Sequence, residues 1–409
     1  MRILFITQWF HPEGSFKTFS FAKELIKLGH EVEVLTGFPN YPGGKLYNGY
    51  KVKLFQKETI EGVPVFRVPL YPSHDRSGIR RFLNYTSFAL SAAIIGPWVV
   101  KRADVAYVYH PPATVGLPAS IIKLLRRIPF VYDIQDLWPD TLKATGMFNN
   151  KIGLKLANGW CKFVYRSAER IVVLSPGFKR TLCERGIAED KIEVIYNWCD
   201  DTVIHPVEPD QKLVQELGLA NRFNIMFAGN LGKAQALDEV LEAAQIVARR
   251  CPQVQFVFVG DGIEKDRIKR RAQEMRLENV RFLPRRPQSE IASVLSLADV
   301  LLVHLKDDPL FRITIPSKIQ AYLAVGRPIL IGVRGDAAEL VAEAQAGVAC
   351  PPQDPYGIAE KVCKLQAMSG DQLKAMGENG RRFYERELSL KIATKRFEAI
   401  FESVTKRSQ

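Results

Sequence analysis

A serine and a lysine stand where a helix is predicted to begin, in the stretch IPSKIQAYLAVGRP, residues 315–328. Proline suits the first position of a helix and glycine the position just past its end, so Pro316 and Gly326 mark the two ends. The free amides of a first turn bind anions, and a cation such as Lys318 is disfavoured there unless an anion is present. Ser317 and Lys318 therefore predict an anion site; the alternative is a solvated lysine.

Three glycine-bearing loops follow apolar runs: HPEGSF, AGNLGKAQ and VGDG. Ligands bind beyond the carboxyl ends of parallel strands, and glycine lets backbone amides approach phosphate oxygens closely. None of the loops has the Gly-x-Gly-x-x-Gly spacing or a Walker sequence, which disfavours a dinucleotide or ATP site of the familiar kind. Each loop taken alone also fits a structural turn. The candidate phosphate-binding residues are Gly14, Ser15, Gly229, Asn230, Lys233, Gly260, Asp261 and Gly262.

The elements that must position these residues alternate between apolar runs and helical patterns, which predicts an α/β fold with parallel, doubly wound sheets. A chain of 409 residues exceeds one ordinary core, so we expect two Rossmann-like domains whose sheets face a central cleft. We place these domains at 1–200 and 201–385, with a polar, proline-bearing linker at Asn197–Lys212. A last helical pattern at 386–409 could pack back on the first domain.

The formal net charge of +13 fits a polyanionic partner, which could be nucleic acid, an anionic membrane face or a phosphorylated substrate. The basic residues are not interleaved with aromatic platforms or a reader motif, so we expect no nucleic-acid partner.

The cysteines, the histidines and the first ten residues bear on the redox state of the thiols, on metal binding and on the cellular compartment. The six cysteines form no Cys-x-x-Cys pair, which predicts reduced thiols. The six histidines lie singly, so we predict no bound metal. The opening MRILFITQWF is typical of a buried strand and not of a signal peptide, which predicts a cytoplasmic protein.

The order of these pieces resembles that of a known enzyme family. The landmarks are GHEVEVLT, IVVLSPGFKRTL, KIEVIYN, FAGNLGKAQALDEVLEAA, FVFVGDG, VRFLP, IPSKIQAYLAVGRPIL and AGVACPPQD. Over nearly the whole chain they resemble the retaining GT-B glycosyltransferases of the group 1 (family 4) type, which use nucleotide-activated sugars. LTGFPNYPGGKLYNGY and DIQDLWPD are similar to the bacterial branch that builds O-antigen and capsule repeats on a lipid carrier. Members of that branch transfer N-acetylated aminosugars, including N-acetyl-fucosamine, from UDP donors.

The resemblance implies that a UDP-sugar lies on the second domain. Its diphosphate would lie between the GNLGK loop, residues 229–233, and the amino end of the PSK helix, where Lys318 would stabilise the departing nucleoside diphosphate. The VGDG loop, residues 259–262, and the segment FLPRRP, residues 282–287, would surround the nucleotide base, although Asp261 is also suited to cap a helix. The HPEGSF loop would approach the phosphates when the domains close. The resemblance implies no metal and no cofactor, with the UDP-sugar as a co-substrate.

Two positions depart from the family pattern. Relatives carry two glutamates around the PSK segment, one near the donor sugar and one on the ribose, where this chain has Ile313 and Ala321. Neither of these side chains accepts a hydrogen bond. We predict that Glu339, in GDAAELV, supplies a carboxylate from the next loop.

The acceptor is expected on the first domain. Asp136, in QDLWPD, is the best candidate for a catalytic carboxylate, with Asp133 and Asp140 as alternatives that could equally cap turns. Gln135 stands where relatives have histidine; it cannot act as a base, but it can orient a sugar hydroxyl. In a retaining transfer without a metal the departing phosphate takes the acceptor's proton, so no strong protein base is needed. His110, in YHPPATVG, either contacts the acceptor or is structural.

Residues 85–100, YTSFALSAAIIGPWVV, carry no charge and are flanked by basic pairs. At about 1.5 Å per residue this stretch is too short to span about 30 Å of hydrocarbon, and Gly96 with Pro97 interrupts it. It is either a buried crossover helix or an interfacial element on an anionic membrane. The residues expected at the lipid are Phe88, Ile94, Ile95 and Trp98, with Arg80 and Arg81 at the head groups.

These observations predict a metal-independent, retaining transferase. It would move an N-acetylated aminosugar from a UDP-sugar to a polyprenyl-diphosphate-linked saccharide, as a peripheral protein on the cytoplasmic face of the inner membrane. Two alternatives stay open. One is a UDP-aminosugar 2-epimerase of the same fold; the other is a non-catalytic sugar-nucleotide-binding protein at the membrane, which the two absent glutamates suggest.

Overall fold

The computed structural model has an α/β fold with two largely parallel sheets, which confirms the predicted fold class. It describes residues 1–14, 16–73, 77–144 and 150–408. Ser15, a candidate phosphate-binding residue, lies outside the described residues.

Two compact units make up the chain. Unit 1 comprises Met1–Tyr196 together with Ala393–Gln409, and unit 2 comprises Asn197–Ile392. The division therefore falls at Tyr196 instead of at residue 200. The carboxy-terminal segment that belongs to unit 1 begins at Ala393, a few residues later than the predicted 386.

The unit 1 sheet has eight strands in the order β3-β4-β2-β1-β5-β6-β7-β8, and only the β3–β4 pair is antiparallel within the described residues. The strands are β1 Arg2–Ile6, β2 Glu31–Gly37, β3 Gln56–Ile60, β4 Val63–Val68, β5 Val105–His110, β6 Phe130–Ile134, β7 Arg170–Val173 and β8 Ile192–Val194. The helices are α1 Phe16–Lys27, α2 Gly78–Val99, α3 Gly116–Arg126, α4 Asp140–Ala144, α5 Lys151–Ser167 and α6 Pro176–Glu184.

The unit 2 sheet has six parallel strands in the order β11-β10-β9-β12-β13-β14. The strands are β9 Phe223–Ala228, β10 Val254–Val259, β11 Val280–Leu283, β12 Val300–His304, β13 Ile329–Gly332 and β14 Gly347–Ala349. The helices are α7 Gln211–Glu216, α8 Leu237–Arg250, α9 Lys265–Glu274, α10 Ile291–Leu295, α11 Pro309–Arg312, α12 Ser317–Ala324, α13 Asp336–Glu343, α14 Pro355–Gln366 and α15 Gly370–Phe383.

Strand order fixes where ligands can bind. In unit 2 the connections reverse direction between β9 and β12, and in unit 1 between β1 and β5. Such switch points open a crevice at the carboxyl ends of the strands. The loop after β9 and the segment after β12, which leads to α12, therefore share one crevice in unit 2.

The last helix, α16 Leu390–Ser408, packs against the α1 side of the unit 1 core. The ring centroid of Phe397 lies 4.8 Å from that of Phe21 and 5.4 Å from that of Tyr107. His30 Nε2 lies 2.8 Å from Glu398 Oε1. Because these aromatic rings are buried, the end of the chain completes the core of unit 1.

Helix α2 differs from its prediction in length. It begins at Gly78 after the cap Ser77 and runs without a break through Gly96 and Pro97. The expectation that these two residues interrupt it is wrong: Pro97 lacks an amide donor, but it lies in the last turn, so that only the end of the helix follows it. With 22 residues, α2 is the one helix of the described chain that is long and apolar enough to cross a membrane, a test that core helices of soluble proteins also pass.

One face of α2 is packed inside unit 1 and the opposite face is exposed. Phe88 is fully buried, so its assignment to the lipid is wrong. Gly96 is buried close to Leu35 and Ile122. The side chains of Ile94 and Trp98 are 67% and 83% exposed. Ile95 and Arg81 are half-buried and Arg80 is exposed.

Two of the six cysteines form a disulfide, between Cys251 and Cys363. The expectation of six reduced thiols is therefore wrong for this pair. The two residues are 112 positions apart, and the packing of α8 against α14 brings them together. Spacing along the sequence could not reveal this pair.

Candidate active site

Lys318 lies in the first turn of α12, inside the unit 2 crevice. Its Nζ atom is buried and has no hydrogen-bond partner among the described residues. The nitrogen lies 3.5 Å from the centroid of the Phe227 ring. It also lies 3.6 Å from the point where a Cβ atom would stand on Gly229. The alternative of a solvated lysine is thereby wrong.

Burial controls the charge of this amine. It lowers the pKa of Lys318 to about 7, because transfer away from water disfavours the ammonium form. The Phe227 ring offsets this in part through a cation–π contact. An anion beside Gly229 would supply the partner that the amine lacks, since buried charges are otherwise paired.

The glycines of the two loops are required by close backbone packing. Gly260 has a φ of +143°, and a Cβ atom there would stand 2.0 Å from the carbonyl oxygen of Gly229. A Cβ atom on Gly262 would stand 2.3 Å from the carbonyl oxygen of Leu231. The amide of Leu231 donates to the carbonyl of Asp261, so the loops after β9 and β10 form one surface.

A cavity of about 310 Å³ opens on this surface. Its lining residues are Gly229, Asn230, Val259, Gly260, Asp261, Arg285, Arg286 and Ile291. Arg285 and Arg286 follow β11 in the segment FLPRRP, residues 282–287, which the resemblance places around the nucleotide base. The sequence does not single out these two arginines within that segment; the signal is an adjacent basic pair one residue beyond a strand end.

The other predicted donor-binding residues of unit 2 differ in their surroundings. Lys233 is exposed and lines a separate cavity of about 280 Å³ with Lys306 and Arg267. Ser317 is exposed. Asp261 does not cap α9; it accepts a hydrogen bond from the amide of Gly262, and this bond together with Lys265 lowers its pKa.

The positions of the absent glutamates hold half-buried apolar side chains, Ile313 and Ala321. Glu339 is exposed on α13. The cap of that helix, Gly335, lies against the backbone of Arg312, where a Cβ atom would stand 2.1 Å from the carbonyl oxygen. The start of α13 is therefore next to the segment that leads to α12, and the role of Glu339 stays a prediction.

Asp133 is one of three carboxylates at the end of β6 in unit 1, and it is fully engaged. It accepts hydrogen bonds from Lys17 Nζ at 2.9 Å, Tyr107 Oη at 2.6 Å and Gln135 Nε2 at 2.6 Å. This buried cluster leaves no oxygen of Asp133 for a substrate and fixes the orientation of the Gln135 amide. The candidacy of Asp133 as a catalytic carboxylate is not supported.

Asp140 and Asp136 differ in whether another residue of the protein already binds the carboxylate. Asp140 begins α4 and forms an ion pair with Arg185. The Asp136 carboxylate has no hydrogen bond or ion pair within the described part of the chain, and burial raises its pKa. Its negative charge contributes to the raised pKa values of Tyr41 and Tyr109. Asp136 is therefore the carboxylate that is available to a ligand.

His110 ends β5 next to this loop. It is 1% exposed, and neither ring nitrogen has a partner among the described residues. Burial lowers the pKa of His110 to about 3, so the imidazole is neutral at physiological pH. Its ring centroid lies 5.9 Å from that of Trp138, edge to face. His110 packs as a structural residue would, and its neutral ring offers both a donor and an acceptor.

Glu13, beside the predicted Gly14, shapes the neighbouring loop. Its carboxylate accepts hydrogen bonds from the backbone amides of Phe10, Asn40 and Tyr41 at 3.2, 2.5 and 2.7 Å. Burial raises the pKa of Glu13 to about 7. Gly14 itself is exposed, with no atom within 4 Å of a Cβ position. Glu13 thus ties the loops after β1 and β2 together.

No group of three or more His, Cys, Asp or Glu side chains suited to a metal ion occurs among the described residues. The chemistry available is that of a buried amine beside glycine amides in unit 2, and of a free carboxylate beside a neutral imidazole in unit 1.

Comparison with known families decides what these units are. Residues 18–198 match the glycosyl transferase 4-like domain, and residues 210–383 match the glycosyl transferases group 1 family. The chain carries the two domains of a group 1 glycosyltransferase. The first match lies in unit 1 except for its last two residues, and the second lies within unit 2.

Two bacterial relatives of this glycosyltransferase are similar to it in sequence, with less than 30% identity. It is 26% identical to WbjE of Pseudomonas aeruginosa, which is named as a probable glycosyltransferase, over 73% of this chain and 74% of that protein. It is 28% identical to WcaI of Escherichia coli K12, which is named for colanic acid biosynthesis, over 73% and 74%. Both relatives are bacterial proteins, and each alignment covers about three quarters of both chains.

Solved structures share its fold. Anabaena HepE, in complex with UDP and glucose, superposes with a TM-score of 0.71 at 18% identity, covering 98% of this chain and 100% of that one. An α,α-trehalose-phosphate synthase (UDP-forming) from Burkholderia vietnamiensis gives 0.72 at 14% identity, over 98% and 100%. At these identities the likeness establishes the GT-B fold.

Proposed function

We propose that this glycosyltransferase transfers an N-acetylated aminosugar, with retention, from a UDP-sugar to a polyprenyl-diphosphate-linked saccharide. The proposal rests on the buried amine of Lys318 beside Gly229, which has no hydrogen-bond partner among the described residues. A diphosphate at this place would supply the anionic partner that the amine lacks. A UDP donor is further supported by HepE, which has the same fold and was solved with UDP and glucose.

The donor would lie along the unit 2 crevice. The diphosphate would meet Lys318 and the amides of the loop after β9, and the base would enter the cavity beside Arg285 and Ile291. As the bond between the sugar C1 and the β-phosphate oxygen breaks, negative charge grows on that oxygen. A protonated Lys318 stabilises this charge more in the transition state than in the ground state, which is what accelerates a reaction.

The acceptor would lie on unit 1. Its hydroxyl oxygen forms the new bond to C1, and its proton passes to the departing β-phosphate oxygen, so that UDP leaves carrying it. Asp136 and the Gln135 amide would orient the sugar hydroxyls, and the neutral His110 can contribute one further hydrogen bond. No metal ion takes part in these steps.

The lipid carrier implies a membrane surface. The exposed face of α2, with Ile94 and Trp98, would dip into the cytoplasmic leaflet, while Arg80 meets anionic head groups. The enzyme would therefore be a peripheral protein of the inner membrane.

A screen tests the proposal. UDP-sugars, including UDP-N-acetylated aminosugars, are incubated with polyprenyl-diphosphate-linked saccharides, and released UDP is measured together with the anomeric configuration of the product. We expect acceptor-dependent UDP release and an α-linked product from an α-linked donor. Binding of UDP-sugars without turnover would favour a non-catalytic binding protein, and inversion would remove the retaining mechanism.

A further inference from the structure

Unit 1 contains an apolar cavity that the reaction described above does not use. Its volume is about 410 Å³, in the range of small-molecule pockets. It lies where α2, α5 and the segment after β6 meet. The side chains that line it include Phe82, Leu90, Trp138, Leu156 and Trp160.

The inner end of this cavity adjoins the candidate acceptor site. Trp138, which lines the cavity, follows Asp136 by two positions and packs edge to face on His110. Tyr85 also lines the cavity, and the charge of Asp136 contributes to its raised pKa. The cavity therefore opens beside the one carboxylate of this loop that has no protein partner in the described structure.

The outer end is exposed and apolar. Leu90 on α2 is 55% exposed and Leu156 on α5 is 69% exposed, and both line the cavity. Ile152 and Phe163, on the same helix as Leu156, are exposed as well. An apolar surface of this kind is costly in water unless something covers it.

The two long helices that border the cavity contribute no negative charge, because neither α2 nor α5 contains an acidic residue. Burial raises the pKa of Tyr85, which lines the cavity, and the nearby Arg81 guanidinium opposes this shift. A cationic group beside an apolar cavity complements a ligand that has a hydrocarbon body and an anionic group.

We propose that this cavity binds the hydrocarbon chain of the polyprenyl-diphosphate acceptor, entering at Leu90 and Leu156 and ending beside Trp138. The inference rests on the proposed function, because it assigns the lipid part of the same acceptor. A chain held here brings the attached diphosphate and saccharide to the end of the cavity beside Asp136. An acyl chain of a bulk phospholipid or a second copy of the protein would cover the apolar surface equally, but neither would need the cavity to end at the reactive loop.

We call the cavity that binds the hydrocarbon chain the chain site. It can be tested with two acceptors that differ only in their hydrocarbon tail. One carries the full polyprenyl chain, the other a short, water-soluble tail, and both are assayed in a neutral detergent without vesicles. Ala157→Phe places a ring in the cavity, and Leu90→Gln makes its mouth polar. Ala188→Phe is the matched control, because Ala188 is exposed in unit 1 and does not line the cavity.

We expect the wild type to have a kcat/KM at least about tenfold higher for the long-chain acceptor, since each buried methylene contributes substantially to binding. Ala157→Phe and Leu90→Gln should remove most of this preference through KM and leave the short-chain acceptor unchanged. Ala188→Phe should behave as the wild type. Equal losses on both acceptors, or no loss on the long one, would overturn the chain site.

A binding measurement separates this inference from the reaction. A polyprenyl diphosphate without sugar is titrated against the protein while tryptophan fluorescence, to which Trp138 and Trp160 contribute, is followed. Saturable binding that Ala157→Phe abolishes supports the chain site, whether or not a UDP-sugar is turned over. The absence of turnover would contradict only the proposed reaction. Binding that is the same in both proteins contradicts the chain site. So does the absence of binding.

Discussion

The amine of Lys318 lies 3.6 Å from the Cβ position of Gly229, across the crevice between α12 and the loop after β9. A side chain larger than hydrogen at Gly229 would occupy the space that faces the amine. This pair therefore defines a small, buried recess with an unsatisfied positive group on one wall.

Removal of the amine should strongly lower turnover. Lys318→Ala is expected to lower kcat by about 10²–10³-fold, the usual cost of losing one preorganised electrostatic group at a developing anion. Lys269→Ala, at an exposed position of α9, serves as the control and should leave turnover unchanged. Steady-state UDP release and a thermal melt of each variant give the answer. Near-normal turnover in a folded Lys318→Ala protein would exclude the amine from the mechanism.

Nucleotide binding should take up a proton near neutral pH. Because the pKa of Lys318 is about 7 in the free protein, its amine is largely neutral above that pH. UDP favours the ammonium form, so binding at about pH 8 should be accompanied by uptake of close to one proton, and the affinity should fall as pH rises. Calorimetry in two buffers of different ionisation enthalpy measures the uptake. The same uptake in Lys318→Ala would assign the proton to another group.

The glycine at position 260 should resist substitution. Gly260→Ala is expected to destabilise unit 2 by about 1–3 kcal/mol, because its φ is +143° and the new Cβ would meet the Gly229 carbonyl. Gly370→Ala is the matched control, since nothing lies within 4 Å of its Cβ position. Denaturant titration of both variants measures the difference. Equal stabilities would show that the loops after β9 and β10 are not locked together.

The two aspartates of the β6 loop should separate stability from activity. Asp133→Asn is expected to cost about 3–5 kcal/mol of unfolding free energy, because it deprives the buried Lys17 ammonium of its carboxylate. Asp136→Asn should leave stability unchanged or higher at neutral pH. The folded protein raises the pKa of Asp136, so its ionised form disfavours folding above that pKa.

Although Asp136→Asn should not lower stability, it should lower activity. Asp136→Asn should lower kcat/KM for the acceptor at least about tenfold, as expected when a hydrogen bond to a charged group is lost. Asp140→Asn, which breaks an exposed ion pair, is the control and should change stability by less than about 1 kcal/mol. A stable Asp136→Asn enzyme with full activity would leave Asp136 without a role.

Membrane binding should depend on one face of α2 only. Trp98→Ala should reduce sedimentation with anionic vesicles while the melting temperature stays unchanged, because the indole is 83% exposed. Phe88→Ala should instead cost about 3–5 kcal/mol, since Phe88 is fully buried. Vesicle binding by Trp98→Ala equal to that of the wild type would remove this face from the membrane.

Local signals allowed the fold and part of the site to be predicted. The bounds of α12 were marked by proline and glycine, and alternating patterns gave two α/β units, because these features depend on neighbouring residues. The burial of the Lys318 amine was not predictable in this way, since it depends on Phe227 of a strand distant in the sequence. Strand order alone brings that ring beside α12.

The same reason explains what the sequence leaves open. It favours Asp136 and keeps Asp133 as an alternative in YDIQD, because it does not show that Lys17 and Tyr107, from other elements, donate to Asp133 alone of the two. The cavity beside Trp138 likewise needs α2 and α5 together, and α5 by itself reads as an ordinary amphipathic helix.

Binding of UDP compared with uridine, in the wild type and in Lys318→Ala, tests the central claim most directly. If the buried amine binds the diphosphate, Lys318→Ala should weaken the affinity for UDP by at least about tenfold, as expected for a hydrogen-bonded charge pair. The affinity for uridine should be unaffected. Equal effects on UDP and uridine, or no effect on either, would contradict the assignment of Lys318 to the diphosphate.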